Sequence, residues 1–388
     1  MKILLIAPHP FYQERGTPIA IDLLLKVLAE RGDHVDVLTY HEGKNVMYNG
    51  EVKIHRICKP PFANGIKPGF SFKKVICDRY MLSKALSMAG STRYDIVHAV
   101  EESVFIAMLL RRRYGIRYVY DMDSSMPMQI ADKFPFMFFL MPLMSWFERC
   151  AVRKALVVVP MCDSLAKQAE RYGAGKVTVL RDISMQKKKA SSPVKNLREE
   201  LGIKGVCFLY LGNLEKYQGI DLLLRSFAIL LKQSKEADLV IAGGYPDDIS
   251  KYKVLAARLG VGDKVHFVGP KPLDEMGALF ESADVLVSPR TKGRNTPMKI
   301  YSYLGSGKAI LATRLPTHTQ VLDDTVSVLA SPEPEAFAKG MNRLLQDSGL
   351  RRELGENARK LAEKKYSFDV YRQTVLNLYN WIQNSLTG

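Results

Sequence analysis

Short apolar runs alternate with amphipathic stretches from the first residues of the chain. The runs ILLIA (3–7), VDVLTY (35–40), VKIHRI (52–57), DIVHAV (95–100), YVYDM (118–122), ALVVVP (155–160) and VTVL (177–180) have strand length and strand composition. Between the first two lies IAIDLLLKVLAERG, which places Ile19, Ala20, Leu23, Leu24, Val27 and Leu28 on one helical face and ends at Gly32. That is a βαβ beginning, and its repetition predicts a parallel sheet covered by helices on both sides.

The apolar period stops over SMQKKKASSPVKNLREE, Ser184 to Glu200, a polar and basic stretch that reads as a linker. A second series follows: VCFLYLG (206–212), ADLVIAGG (237–244), KVHFVG (264–269), ADVLVSP (283–289), AILAT (309–313) and VSVLA (326–330). The expected fold class is α/β, with two Rossmann-like doubly wound domains in tandem. Their boundaries are residues 1–185 and 201–370, joined by a linker at 186–200. In such a pair the carboxyl ends of both sheets are expected to face a cleft where ligands bind. The final stretch, 371–388, is helical and could pack on either domain, with a return to the first as the expected arrangement.

A length of 388 residues suits two domains of roughly 150 to 200 residues each. The net charge of +16 adds an anionic partner to the picture: a nucleotide, a membrane surface or a nucleic acid. Its distribution is uneven. Residues 1–200 hold 31 Lys and Arg against 20 Asp and Glu, and residues 201–388 hold 25 against 20. The basic residues are dispersed and form no nucleic-acid module, so no nucleic-acid partner is expected. Five cysteines without CxxC spacing fit reduced thiols in a cytosol rather than a disulfide frame or a zinc site. No metal-ligand cluster, GxGxxG or Walker loop supports a metal, NAD or ATP, and no cofactor is expected.

Candidate chemistry concentrates at helix starts. Arg294, Asn295, Thr296 and Pro297 follow the run ADVLVSP, with Thr296 as expected N-cap and Pro297 at the first helical position. Arg15, Gly16, Thr17 and Pro18 repeat the design after the first strand. Both offer free backbone N–H groups and the positive end of a helix dipole to a phosphate. Around the second, Arg290, Lys292, Arg294 and Lys299 are denser than capping requires. Gly243, in the pair ending ADLVIAGG, permits close backbone approach to a ligand, and a tight turn explains it equally.

These stretches, with YDIVHAVEES, FERCAVRKALVVVPMCDSLAKQ, LYLGNLEKYQGIDLLLRSF, VHFVGPKPLDEMGALFESADVLVSP and NTPMKIYSYLGSGKAILAT, resemble glycosyltransferase family 4 over nearly the full length. The resemblance implies the GT-B architecture and retaining, metal-independent transfer of a sugar, of the hexosyl type, from a nucleotide diphosphate sugar to a hydroxyl. It also exposes departures. The family's diphosphate-gripping Arg and Lys match Asn213 and Gln218 here, and its two glutamates match Arg294 and Ser302. One reading is a divergent enzyme in which Arg290, Lys292, Arg294, Lys216 and Lys299 supply the charge and Ser302 meets the ribose. Another is a non-catalytic GT-B partner that has lost the nucleotide. An epimerase or phosphorylase of the same architecture is a third.

In the family a His or acidic residue at a first-domain strand end lies near the sugar. Asp121 and Asp123 in YDMDSS, on one face if the strand does not end before Asp123, are the candidates. Helix capping explains Asp123 as well as catalysis does. Glu101 and Glu102 after DIVHAV could meet the acceptor, whereas His98 inside that strand reads as a buried, satisfied histidine. His9 sits in the first loop, and His318 follows AILAT near the nucleotide side.

Lys133 to Lys154, KFPFMFFLMPLMSWFERCAVRK, runs 14 residues without charge from Phe134 to Phe147. A helix of that length covers about 21 Å, short of the roughly 30 Å of a bilayer core. It is expected to lie in the interface of an anionic membrane, on the cytoplasmic inner face, near a lipid or glycan acceptor. A buried helical hairpin or a protein contact is the alternative.

Overall fold

The computed structural model describes residues 1–13, 16–66, 71–133, 135–184, 197–293 and 295–387. The chain divides into two compact units, one of Met1–Arg181 with Tyr371–Gly388, the other of Asp182–Val370. Most of the expected linker, 186–196, lies outside the described residues. Its last four residues are a short helix whose Leu197 is buried in the second unit's core, because one apolar side chain at the end of a polar stretch is enough to dock it.

Unit 1 runs β1 (Lys2–Ala7), α1 (Gly16–Glu30), β2 (His34–Thr39), β3 (Val52–Arg56), α2 (Phe72–Ser91), β4 (Ile96–Val100), α3 (Val104–Tyr114), β5 (Arg117–Met122), α4 (Met126–Lys133), α5 (Met141–Lys154), β6 (Val157–Pro160) and α6 (Asp163–Tyr172). The strands form one parallel sheet in the order β3-β2-β1-β4-β5-β6. β1 and β4 are buried along nearly their whole lengths, as expected of strands covered on both faces. The expected strand at 177–180 is absent. Val177 makes a single parallel bridge to Val158 and the segment continues as irregular backbone alongside β6.

Unit 2 runs α7 (Leu197–Glu200), β7 (Val206–Leu211), α8 (Ile220–Gln233), β8 (Ala237–Ala242), α9 (Pro246–Arg258), β9 (Val265–Gly269), α10 (Met276–Ser282), β10 (Val285–Ser288), α11 (Met298–Ser306), β11 (Ala309–Thr313), α12 (Pro316–Thr319), β12 (Val328–Ala330), α13 (Pro334–Gln346) and α14 (Ser348–Lys365). Its sheet is again parallel, in the order β12-β11-β10-β7-β8-β9. Counted within the unit, this is the same topology as unit 1. The strand order therefore reverses between β1 and β4 in one unit and between β7 and β10 in the other, the points where open α/β sheets leave room for a ligand.

The last helix, α15 (Phe368–Thr387), belongs to unit 1 from Tyr371 onward. Tyr371, Val375, Leu378, Tyr379 and Ile382, at helical spacing, are its buried face. Arg372 pairs with Glu30 of α1, and Arg117 of β5 donates to the Ser385 carbonyl.

Candidate functional site

At the reversal point of unit 2, the loops after β7 and β10 are pressed together. Gly219 has φ +78°, and a Cβ there would lie 1.9 Å from the Pro289 carbonyl oxygen, so only glycine fits. Thr291 N–H donates to the Tyr217 carbonyl at 3.0 Å. Two cations are delivered to this junction. Arg290 Nη1 donates to the Asn295 carbonyl at 3.1 Å and to Thr317 Oγ1 at 3.0 Å, and its guanidinium lies 5.1 Å from the Tyr217 ring centroid. Lys299 Nζ donates to the Leu211 carbonyl at 3.1 Å, approaches Gln218 Oε1 at 3.5 Å and stands 4.1 Å from the Tyr210 ring centroid.

Neither cation makes a salt bridge among the described residues. Burial, reinforced by Arg290, pushes the Lys299 ammonium well below its ordinary range. Burial also lowers Arg290. Among the described residues, Arg290 Nε and Thr296 Oγ1 are buried without a hydrogen-bond partner. Desolvated donors without an acceptor are costly, and an anion placed there would satisfy both.

The expected capping differs. α11 begins at Met298 with Pro297 as N-cap and no side-chain cap bond, so the Thr296 hydroxyl is not spent on the helix. Ser302, further along α11, is buried. Lys292 is exposed, and Arg294 lies outside the described residues. His318 is fully buried between Ser288 and Thr313, with both ring nitrogens engaged, and burial lowers it to about 3. It is a neutral core histidine. Gly243 has φ +116°, and a Cβ there would lie 2.1 Å from the Gly212 carbonyl oxygen. Its glycine is required by the packing of the β7 and β8 loops, which is the turn explanation.

Unit 1 presents a different set at its reversal point. Glu101, directly after β4, is held at φ +49°, a left-handed conformation uncommon for a side chain that is neither Gly nor Asn. Ser124 donates to its Oε1 at 3.3 Å. Lys74 of α2 pairs with the neighbouring Glu102, and Tyr40 at the end of β2 donates to Asp78 of α2. Burial, then Glu102, pushes Asp78 up to about 7, and the same two causes raise Glu101 above the ordinary carboxylate range. Asp121, near the end of β5, is 8% exposed, and its Oδ2 lies 3.0 Å from His98 Nε2. Asp123 lies past the strand and is half-buried, so the shared strand face expected for the two aspartates does not form. His98 is the buried, satisfied histidine expected. His9 is buried in the loop after β1, its Nδ1 3.2 Å from the Pro10 carbonyl.

At the other expected phosphate position, Gly16 and Thr17 already lie in α1, and Arg15 is outside the described residues. Gly16 is exposed, with nothing near the place of a Cβ. Reading the sequence missed Tyr210, Tyr217 and Thr317 around the cations, and Tyr40, Lys74 and Asp78 around Glu101. Only the i,i+4 spacing of Lys74 and Asp78 in α2 offered a signal.

Residues 15–181 match the glycosyl transferase 4-like domain, and residues 194–361 match the glycosyl transferases group 1. An uncharacterised glycosyltransferase of Methanocaldococcus jannaschii is 24% identical over 193 residues, 49% of this chain. The matched stretch spans about half of that relative's length, 48%. Sucrose-phosphate synthase from Thermosynechococcus elongatus shares the fold with a TM-score of 0.81 over 99% of both chains, at 18% identity. Anabaena HepE in complex with UDP-glucose superposes with a TM-score of 0.74 over 98% of this chain and 99% of that one, at 14% identity. The two halves point the same way: each matches a glycosyltransferase family model, and the chain shares the GT-B fold of two Rossmann-like domains.

Proposed function

We propose that the protein is a retaining, metal-independent glycosyltransferase that moves a sugar, of the hexosyl type, from a nucleotide diphosphate sugar to a hydroxyl of a lipid-linked or glycan acceptor. The observation that carries the reading is the pair Arg290 and Lys299, brought to the reversal point of unit 2 without a carboxylate partner among the described residues. In this reading they hold the diphosphate, with Thr296 Oγ1, Arg290 Nε and Arg294 as further donors and Ser302 left for the ribose. Charge builds on the diphosphate as the glycosidic bond breaks, and fixed desolvated cations stabilise it most at that moment. Lys299 also answers one departure from the family pattern. Its ammonium reaches Gln218, so the charge missing at position 218 arrives from α11. The HepE complex, with UDP-glucose, supports a nucleotide sugar donor. Asp121, Asp123 and Glu101 are assigned to the sugar and the acceptor hydroxyl.

The test is calorimetric titration with UDP, GDP and their sugar conjugates. Saturable binding of one nucleotide family, strongly weakened in Arg290→Ala, is expected. Binding of none would overturn the reading in favour of a non-catalytic GT-B partner, which Asn213 and Gln218 favour.

The acceptor side is proposed to sit at the inner face of a membrane. α2, α3 and α5 form one helical layer over the unit 1 sheet, and every exposed charged residue on them is Lys or Arg. Phe72 (85% exposed) and Trp146 (57%) lie on these same helices, and Phe136 (70%) lies shortly before α5, which the buried-hairpin alternative does not predict. No helix among the described residues is long and apolar enough to cross a membrane. Co-sedimentation with vesicles rich in anionic lipid at low salt is expected, with loss in neutral vesicles. Equal retention by both would remove the electrostatic part of this reading, and retention by neither would remove the membrane.

A further inference from the structure

A buried chain of three polar side chains crosses unit 1 and ends at Asp121. The Tyr379 hydroxyl of α15 lies 2.7 Å from His98 Nδ1, and His98 Nε2 lies 3.0 Å from Asp121 Oδ2. Tyr379 and His98 are fully buried, with rings near parallel at 16° and centroids 6.2 Å apart. The direction of the chain follows from its chemistry. An ionised carboxylate only accepts, so Nε2 carries the hydrogen, and a neutral imidazole then offers a lone pair at Nδ1. Tyr379 must donate. Burial raises its phenol well above the ordinary range, so it keeps its proton.

The two oxygens of Asp121 are treated differently. Oδ2 is occupied by His98, whereas Oδ1 has no hydrogen-bond partner among the described residues. Burying a Tyr, a His and an Asp in line is an expensive way to dock a helix that Val375, Leu378 and Ile382 already hold by apolar packing. The same line is an efficient way to fix one carboxylate rotamer.

We propose that Tyr379 is a positioning residue: acting through His98, it holds Asp121 so that Oδ1 is presented at the carboxyl end of β5 to a hydroxyl of the sugar or the acceptor. This rests on the assignment of Asp121 to the site. The C-terminal helix is then part of the site's support, although 281 residues separate Tyr379 from His98.

Tyr379→Phe removes the hydroxyl and keeps the ring. The His98 imidazole, followed by nitrogen NMR, is expected to be one Nε2–H tautomer in the parent and a mixture in Tyr379→Phe. An unchanged tautomer overturns the inference whatever the activity. In the transfer assay, Tyr379→Phe is expected to lower kcat about tenfold with donor KM unchanged. It is expected to have no further effect in an Asp121→Asn background. Independent, multiplying losses would make Tyr379 a fold element and overturn the proposal. Full kcat in Tyr379→Phe beside an impaired Asp121→Asn would overturn it while leaving Asp121 in the site. Full activity of Asp121→Asn would instead remove Asp121 from the site. Should Tyr379→Phe melt early, His98→Gln, which keeps an N–H donor toward Asp121, is expected to retain more kcat than His98→Leu. Equal losses in these two overturn the proposal.

Discussion

The two units share one strand order and one reversal point, yet they furnish it with opposite charge. In unit 2 the loop after β10 and the start of α11 supply Arg290 and Lys299 without a carboxylate partner among the described residues. In unit 1 the loop after β4, the end of β5 and the start of α2 gather Glu101, Glu102, Asp78 and Asp121, with Lys74 paired to Glu102. The overall charge runs the other way, with the larger basic excess in the first 200 residues. Topology fixes where a ligand can approach, and the loops decide which ligand. Bulk charge reports a surface, here the outer layer of α2, α3 and α5, and not the chemistry at the strand ends.

The largest effect that could break this contrast is on nucleotide binding. Arg290→Ala is expected to weaken nucleoside diphosphate binding about 100-fold, since a charge-assisted contact of this kind contributes about 1.5–3 kcal/mol. Glu101→Gln should leave that affinity unchanged by calorimetry. Comparable losses in both variants would show that the division of labour is wrong.

Transfer itself should respond in the opposite sense. Glu101→Gln, and separately Asp121→Asn, are expected to lower kcat by about tenfold or more while donor KM stays within about twofold. A rise in donor KM alone would move these residues to the nucleotide side.

Protonation sharpens the contrast. Lys299 is held below its ordinary range in the free protein, and a bound diphosphate would raise it again. Binding should therefore take up a proton, and affinity should fall by a few-fold as pH rises through the range where free Lys299 loses its charge. Titrations in buffers of different ionisation enthalpy measure the uptake, and Lys299→Met should abolish it. His318, already lowered to about 3, should contribute nothing above that pH.

The smallest effect concerns stability in unit 1. Asp78 sits at about 7, above its ordinary value, so the folded state holds a proton that the unfolded chain releases. Its contribution is complete below the ordinary carboxylate pKa and is lost as pH rises through about 7. The melting temperature should fall by a few degrees between about pH 5 and pH 8, and Asp78→Asn should flatten that slope. A slope unchanged in Asp78→Asn would place its origin elsewhere.

Much of this fold was written in local pattern. Runs such as ILLIA and AILAT became central parallel strands because β-rich apolar segments bounded by turns have few other stable uses. VTVL carries the same composition and is not a strand: its backbone bonds to the four-residue β6 form the isolated bridge Val177 to Val158 and no regular ladder. Arg290 and Lys299 were legible because one short segment after a strand carries both. Tyr210, Tyr217 and Thr317 were not, because they come from β7, the loop after it and α12, which only the folded unit brings together. Asp121 and Glu101 could be picked as acidic residues at strand ends. That Oδ2 of Asp121 is held by His98, and His98 by Tyr379, could not be.

The sequence by itself determined two βα series, a break between them and a cationic segment at a helix start, because strand and helix periods of 2 and 3.6 residues are local properties. Tertiary structure alone decided that α15 returns to unit 1, that Lys299 lies beside Gln218, and that Thr296 Oγ1 is buried without a partner among the described residues. Desolvation and hydrogen bonding depend on which loops the sheet order brings together. That order is set by packing over the whole unit and by no window of the chain.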